Sequence, residues 1–458
     1  MRTVALAVAW VFVIALPGRV DAQPGTPTIP AGPTGQPVSN PLPVPAADSS
    51  PLAGGTDVSK PLQPVVAPAE LPELQPTPAP APVVTEPPPV LDERNPAPGK
   101  VLGDWWDSDE LLIWWPKAHP VPPLVAGTRT GLPVLGSPAT TVLIGNHAID
   151  TQDVAGYRLA HGFALNKADT VGFEGRYFFL GTRTLSQSVM ASPRFPSVGL
   201  PYFNALTGAE DALPVARPGL SNALITVSTS TRMQGAEANL VGNLYAGPGA
   251  KVHALAGYRF FQANEGLRVA QRWLQYPTPD SLGYKTLGMI ADQFDAHNEF
   301  HGGQLGLLAD LHRGMFFVEM TGKAAFGTNY EVVTIDGATH LITAASPVPL
   351  LRTFPGGVYA QPSNMGRVTQ TRFAVVPEGT FKVGLKLGDR GRFYVGYNFL
   401  YLSDAVRPGD QIDRTLNPSQ IPLVGQGGPL VGPDRPRAVI HHTDFWVQGL
   451  VIGLETRF

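Results

Sequence analysis

Beyond residue 103 the chain repeats one pattern, apolar side chains at every second position in runs about ten residues long. Tyr157, Leu159, His161, Phe163 and Leu165 alternate with Arg158, Ala160, Gly162 and Ala164. Val171, Phe173, Tyr177 and Phe179 share one face, with Glu174 and Arg176 on the other. Phe316, Val318, Met320, Ala324 and Phe326 alternate against Glu319, Thr321 and Lys323. Phe381, Val383, Leu385 and Leu387 alternate with Thr380, Lys382 and Lys386, and Phe393, Val395, Tyr397, Phe399 and Tyr401 continue the series. Weaker runs cover 232–246, 251–262 and 294–308. A period of two is the signature of a strand with a different environment on each face. About ten residues is the length a tilted strand needs to cross a bilayer.

A soluble sandwich alternates as well, but two features favour a membrane barrel. Charges sit in mid-strand opposite a continuous apolar face, as a polar lumen and a lipid-facing exterior require. Aromatic groups such as Tyr177-Phe178-Phe179, Phe260-Phe261 and Phe316-Phe317 cluster near strand ends, where interfacial girdles lie. The expected fold is all-β, a transmembrane antiparallel β-barrel of about 10–14 strands. A disordered proline-rich arm is expected in front of it.

That arm is a different material. Between residues 23 and 98 fall 22 of the 48 prolines, no Phe, Trp or Tyr, and nine charges. Without aromatic groups it cannot bury enough apolar surface to offset chain entropy. Fully extended at ~3.1 Å per residue it would reach on the order of 200 Å, far enough to act as a tether to cell-wall polymer, set against the plainer reading of a linker with no partner. Ahead of it, Arg2, the apolar run Val4 to Leu16, Pro17-Gly18 and Val20-Asp21-Ala22 have the layout of a cleaved signal peptide. That run is too short for the ~20 residues of a spanning helix. The expected organisation is a signal peptide at 1–22, a linker at 23–102 and a barrel at 103–458, placed in the cell outer membrane after export.

Composition removes several classes of function. A net charge of −3 leaves no basic excess for phosphates, so nucleic acid is not an expected partner. The chain has no cysteine, which excludes disulfides and thiolate chemistry. Neither a Gly-x-Ser-x-Gly elbow nor a phosphate-binding glycine loop with its Lys is present, so no catalytic residue and no cofactor is expected.

The residues expected to line a polar lumen are Arg158, Glu174, Arg176, Glu319, Lys323 and Lys382. Interleaved signs of this kind suit weak ion selectivity. His297, Glu299 and His301 share one strand face and are the candidate metal ligands, set against the plainer reading that they belong to the lumen wall. His441-His442 with Asp444 read as a solvated loop end. Segments 182–231, 327–372 and 403–443, rich in Gly, Pro, Asn and Ser, read as long loops.

The final strand places Trp446, Leu450, Ile452, Leu454 and Phe458 on one face and ends on an aromatic residue. Leu450, Ile452, Leu454 and Phe458 thereby resemble the C-terminal signal read by the barrel-assembly machinery. With Glu110-Leu111-Leu112-Ile113-Trp114-Trp115, Pro122-Pro123-Leu124-Val125, Gly136 through Thr140-Thr141-Val142-Leu143, and Gln448 to Glu455, the chain resembles the outer-membrane β-barrel porin family of planctomycete type, the one numbered seven in its series. The resemblance spans roughly 103–458 and implies an outer-membrane barrel in contact with lipid. It implies no catalytic residues. The expected function is a porin-like passive channel for small solutes. The alternative is a non-conducting anchor or surface-display barrel tethered by its arm.

Overall fold

A computed structural model describes residues 105–166, 168, 170–277, 285–344, 348–425 and 428–458. The expected signal peptide and proline-rich linker lie outside the described residues. The first strands are β1 (Trp105–Pro116), β2 (Val125–Thr128) and β3 (Thr140–Ile144). β4 (Val154–Ala164), β5 (Val171–Met190), β6 (Ser197–Asn204) and β7 (Ala209–Ala216) follow. Four long strands come next, β8 (Ser221–Gly247), β9 (Ala250–Gln275), β10 (Thr286–Arg313) and β11 (Phe316–Thr343). The chain ends with β12 (Leu350–Pro355), β13 (Gly366–Leu387), β14 (Gly391–Val406), β15 (Thr415–Leu416) and β16 (His442–Arg457).

Ten of the described strands close a ring in the order β1, β4, β5, β8, β9, β10, β11, β13, β14, β16, with every neighbouring pair antiparallel. β12 hangs on β11 outside it. The ring closes where the last strand meets the first, with Leu111 opposite Ile452 and Trp115 opposite Gln448. Closure is what lipid demands, because an open edge would leave a row of backbone N–H and C=O groups without partners.

The two mouths differ. At one, β8–β9, β10–β11 and β13–β14 are joined by tight turns, and Phe458 N donates to Trp105 O at 2.8 Å. Gly314 (φ 62°) and Gly388 (φ 70°) occupy left-handed turn positions where a side chain would be strained. At the other mouth the connections are long and build a second sheet of five strands, in the order β15, β6, β2, β3 with β7 on β6.

Strands β8 to β11 run for 26 to 28 residues, more than twice what a bilayer needs. Along each, the polarity of the two faces inverts. On β10 the outward side chains Leu305, Leu307 and Leu311 are exposed while Gln304 and Asp310 are buried inside. Beyond His301 the outward positions are Gln293, Asp295, His297 and Glu299, and the inward ones are Ile290, Phe294 and Ala296, all buried. β9 swaps at Phe260, from Ala254, Ala256 and Tyr258 outward to Gln262, Asn264 and Arg268 outward. An apolar exterior belongs in lipid and a polar exterior in water, so these swaps mark the edge of the membrane.

The inversion corrects the loop expectation. Residues 182–190, 221–231, 327–343 and 366–372 are not loop but the water-exposed continuations of β5, β8, β11 and β13, and 197–204 and 209–216 are strands of the second sheet. In 403–443 the strands β14 and β16 also intrude, leaving 407–441 as the connection. The inner faces of these continuations pack on the second sheet. Leu124, Val125, Leu200 and Val215 join Ile225, Val227, Leu267, Val269 and Phe294 in one buried core. The second sheet is therefore a cap, held in the long-stranded mouth by apolar burial worth roughly 25 cal/mol per Å².

Candidate functional site

The membrane-level lumen is crossed by a layer of paired charges. Glu110, Glu174, Glu237, Glu319 and Glu378 face Arg158, Arg176, Arg259, Lys323 and Lys382, so the carboxylates and cations of this layer balance. Each is delivered by the inward positions of an alternating strand. Lys323 Nζ lies 2.6 Å from Glu237 Oε1 and 3.3 Å from Glu378 Oε2. Lys382 Nζ lies 3.1 Å from Glu110 Oε1 and 3.0 Å from Glu319 Oε1. Arg259 donates to Glu378 and Arg158 to Glu110. Neutral donors complete the shell: Tyr394 OH to Glu110 at 2.7 Å, Asn398 to Glu378 at 2.7 Å and Gln304 to Glu237 at 2.8 Å. All six residues expected to line the lumen lie in this layer, and Glu174, Arg176, Glu319 and Lys382 also border a cavity at the short-turn mouth. Glu110, Glu237, Arg259 and Glu378 join them without having been singled out in the sequence. Their signal was the same mid-strand charge, carried by segments whose alternation is weaker.

Above the charges lies an aromatic layer. Trp114 packs on Phe178 at 5.2 Å between ring centroids, Phe178 on Phe261 at 6.4 Å, and Phe261 on Phe445 at 6.4 Å. These rings come from β1, β5, β9 and β16, and with Phe300 and Leu400 they form a second buried core across the ring. Arg158 lies under Trp114 and Arg407 over Phe445, so both sides of the layer are lined by guanidinium groups.

Two buried polar anchors tie the cap down. Asp292 Oδ1 accepts from the backbone N–H of Val358 (2.8 Å), Tyr359 (3.0 Å) and Ala360 (2.8 Å). It sits on β10 nine residues beyond His301, outside the membrane belt. Burial raises its pKa to about 7, against the opposing pull of those three donors. Tyr359 OH in turn donates to Leu124 O and Pro201 O, both at 3.1 Å, linking this turn to the second sheet. The other anchor is Arg407, wholly buried, whose guanidinium meets Glu265 Oε1 at 2.7 Å and Oε2 at 2.8 Å. It also donates to Ala118 O and Lys117 O.

The metal expectation needs correcting in its surroundings. His297, Glu299 and His301 do converge, with His297 Nε2 3.3 Å and His301 Nε2 3.0 Å from the Glu299 carboxylate. They stand on the outside of the barrel at the membrane edge, not on the lumen wall. The second ring nitrogen of each is already engaged, His301 Nδ1 by Tyr258 OH and His297 Nδ1 by Asn264. Alternation fixes two faces but not which is inner, and here the polar face has crossed to the exterior.

The ligand-like cluster of the described residues is elsewhere. Glu331, Asp404 and His442, from β11, β14 and β16, bring their ligand atoms within 4.8 Å of one another. His442 Nδ1 lies 3.0 Å from Asp404 Oδ1 and 3.4 Å from Glu331 Oε2. Burial, and then the Asp404 charge, raises the Glu331 pKa to about 7. Arg372 and Gln370 already donate to these carboxylates, so the arrangement is a satisfied polar seam that a divalent cation could also enter. It lies where the β13–β14 ladder has stopped at Glu378 opposite Leu400. His442 is thus the start of a strand rather than a solvated loop end, and Asp444 is paired with Lys117.

The family model described as "Putative beta barrel porin-7" matches residues 106–458. No curated protein matches the sequence. Among solved structures, the outer membrane protease OmpT from Escherichia coli is similar at 8% identity and a TM-score of 0.38, covering 78% of this chain and 97% of that one. The Pseudomonas putida toluene transporter TodX is similar at 9% identity and a TM-score of 0.19, with 78% and 90% covered. A Pseudomonas aeruginosa FadL homologue follows at 8% identity and a TM-score of 0.17, with 78% and 90% covered.

Proposed function

The chain belongs to the beta barrel porin-7 family, and from that premise we propose that it is a closed outer-membrane barrel, an anchor that holds a folded cap at its long-stranded mouth. The observation that carries this reading is the filled interior, with a balanced charge layer, an aromatic layer and the cap core stacked one above another. A ring of ten strands sits nearer the ~8 whose interior side chains fill than the ~16 that leave an open pore. Long connections in such barrels face outward from the cell, so the cap is the displayed part.

In this reading the chain is exported by a cleaved signal peptide and handed to the assembly machinery through Leu450, Ile452, Leu454 and Phe458. Residues 23–98 serve as the tether to cell-wall polymer. No reaction and no cofactor is assigned.

A passive channel for small solutes is the second reading. It is favoured by a cavity of about 160 Å³ at the short-turn mouth, lined by Trp106, Glu174, Arg176, Glu319, Lys382 and Arg457. For conduction the charge layer would have to part. Osmotic swelling of liposomes carrying the purified full chain separates the two. Swelling in arabinose at the rate of empty liposomes supports the anchor, and rapid swelling supports the channel.

A further inference from the structure

On eight of the ten ring strands, the outward positions within the apolar belt carry no carboxylate, amine, guanidinium or imidazole, with His301 and Arg313 standing at the two ends of the β10 stretch. β9 presents Ala250 to Phe260 at alternate positions, β10 Gly303 to Leu311, β11 Phe316 to Phe326 and β14 Phe393 to Tyr401. β5, β8, β13 and β16 are equally free of charge there. The exceptions gather at one place. Asp107 and Asp109 on β1 and His161 on β4 face outward between Trp105 and Trp115, in the half of the belt nearer the short turns.

Asp107 and His161 are register partners joined by a hydrogen bond through His161 Nδ1, yet their side chains are 49% and 48% exposed. Asp109 Oδ1 accepts from Tyr157 OH at 2.6 Å. Leu159, opposite Asp109, is half exposed between them, and next to His161 on β5 is Gly175, whose missing side chain leaves the surface low.

We propose that this face is the site where a second copy of the chain docks within the membrane, related by a two-fold axis. Hydrocarbon offers these groups nothing, and ionisable side chains set within a membrane surface face a partner or a watery cavity. The ring is closed, so association must use side chains rather than a strand edge. The patch carries both halves of a polar contact, an imidazole and a phenol beside two carboxylates. Rotated by a two-fold it is its own complement, with His161 of each copy meeting an Asp109 of the other, as an isologous interface requires. Leu111, Leu159 and Tyr177, all exposed, supply the apolar surround.

The chain has no cysteine, so a single introduced one reports alone. The full chain carrying Leu159→Cys, purified and reconstituted into phosphatidylcholine vesicles at low protein density, should give a disulfide-linked dimer on mild oxidation. Leu305→Cys, on the opposite wall at β10, should give at least tenfold less. Combining Asp107→Leu, Asp109→Leu and His161→Leu with Leu159→Cys should abolish the excess. That variant has a more apolar lipid face, and heat-modifiable gel mobility checks that it folds. Equal cross-linking at 159 and 305, or an undiminished dimer in the folded apolar variant, overturns the proposal. Should the apolar variant not fold, the comparison of 159 with 305 in the otherwise native chain decides.

Discussion

Lys323 Nζ lies 2.6 Å from Glu237 Oε1, although β11 and β8 share no ladder and are separated in the ring by β9 and β10. The bond spans the lumen rather than running along its wall. Both side chains are buried, so removing Lys323 leaves this layer with one carboxylate more than it has cations. Lys323→Ala should destabilise the barrel by about 3–5 kcal/mol, the usual consequence of an uncompensated buried charge. Lys323→Met with Glu237→Gln should recover part of that loss, because no lone charge remains from the pair. Urea midpoints in detergent check both, and a Lys323→Ala variant as stable as the native chain would mean that water fills the lumen.

Ile452 and Val451 are neighbours on opposite faces, one toward lipid and one wholly buried inside. Ile452→Lys should lose roughly 2–4 kcal/mol of folding free energy, the cost of a charge on the lipid face at mid-bilayer. Val451→Thr should cost less, and deleting Phe458 should cut assembly. Heat-modifiable mobility of outer-membrane fractions reads all three.

The closing strand was legible because its apolar positions are large and strictly alternate. The six lumen residues were legible for the same reason, as charges opposite a continuous apolar face. β8 and β9 were weaker because their lipid face is built from Ala236, Ala238, Ala254 and Ala256, which contrast little with polar neighbours. The upper part of β8 resembled a loop since Thr226, Ser228 and Ser230 face water there while small apolar residues pack inward on the cap. His297, Glu299 and His301 were placed on the wrong wall by the same cause. A strand that leaves the membrane exchanges its faces, and local alternation holds no record of where. Lumen bridges such as Lys323 to Glu237 depend on ring closure, which no segment encodes alone.

Asp292 gives the cap a pH dependence. Its pKa is raised from 3.8 to about 7 by burial, so the folded state keeps a proton that the unfolded chain releases near 3.8. The stabilisation is complete below about pH 4 and is lost as pH rises through about 7. Hydrogen exchange at Val358 to Ala360, corrected for intrinsic rates, should show less protection at pH 8 than at pH 5. Asp292→Asn should flatten that difference while retaining a side-chain acceptor.

Arg407 fastens the β14–β16 connection to β9 through both oxygens of Glu265. Lys cannot reproduce that fork. Arg407→Ala should cost about 3–5 kcal/mol by leaving the buried Glu265 with only His119, 3.6 Å away, beside it. Arg407→Lys should cost less, but still enough to admit protease into 407–441 in detergent. The barrel itself should keep its heat-modifiable mobility. If neither variant changes the cleavage pattern, the cap is held by its apolar core alone.

In the proposed function, the ring of ten strands is closed to ions by its own side chains. Single-channel recording of the purified full chain in a planar bilayer tests it most directly. The native chain should insert without stepwise conductance in 1 M KCl, where screening within roughly 3 Å keeps the lumen charges from repelling ions out of any open path. Combined Phe178→Ala, Phe261→Ala and Lys323→Ala, which thins the aromatic and charge layers together, should produce steps. Regular steps of uniform size from the native chain would mean that the lumen holds an open path and return the protein to the channel reading.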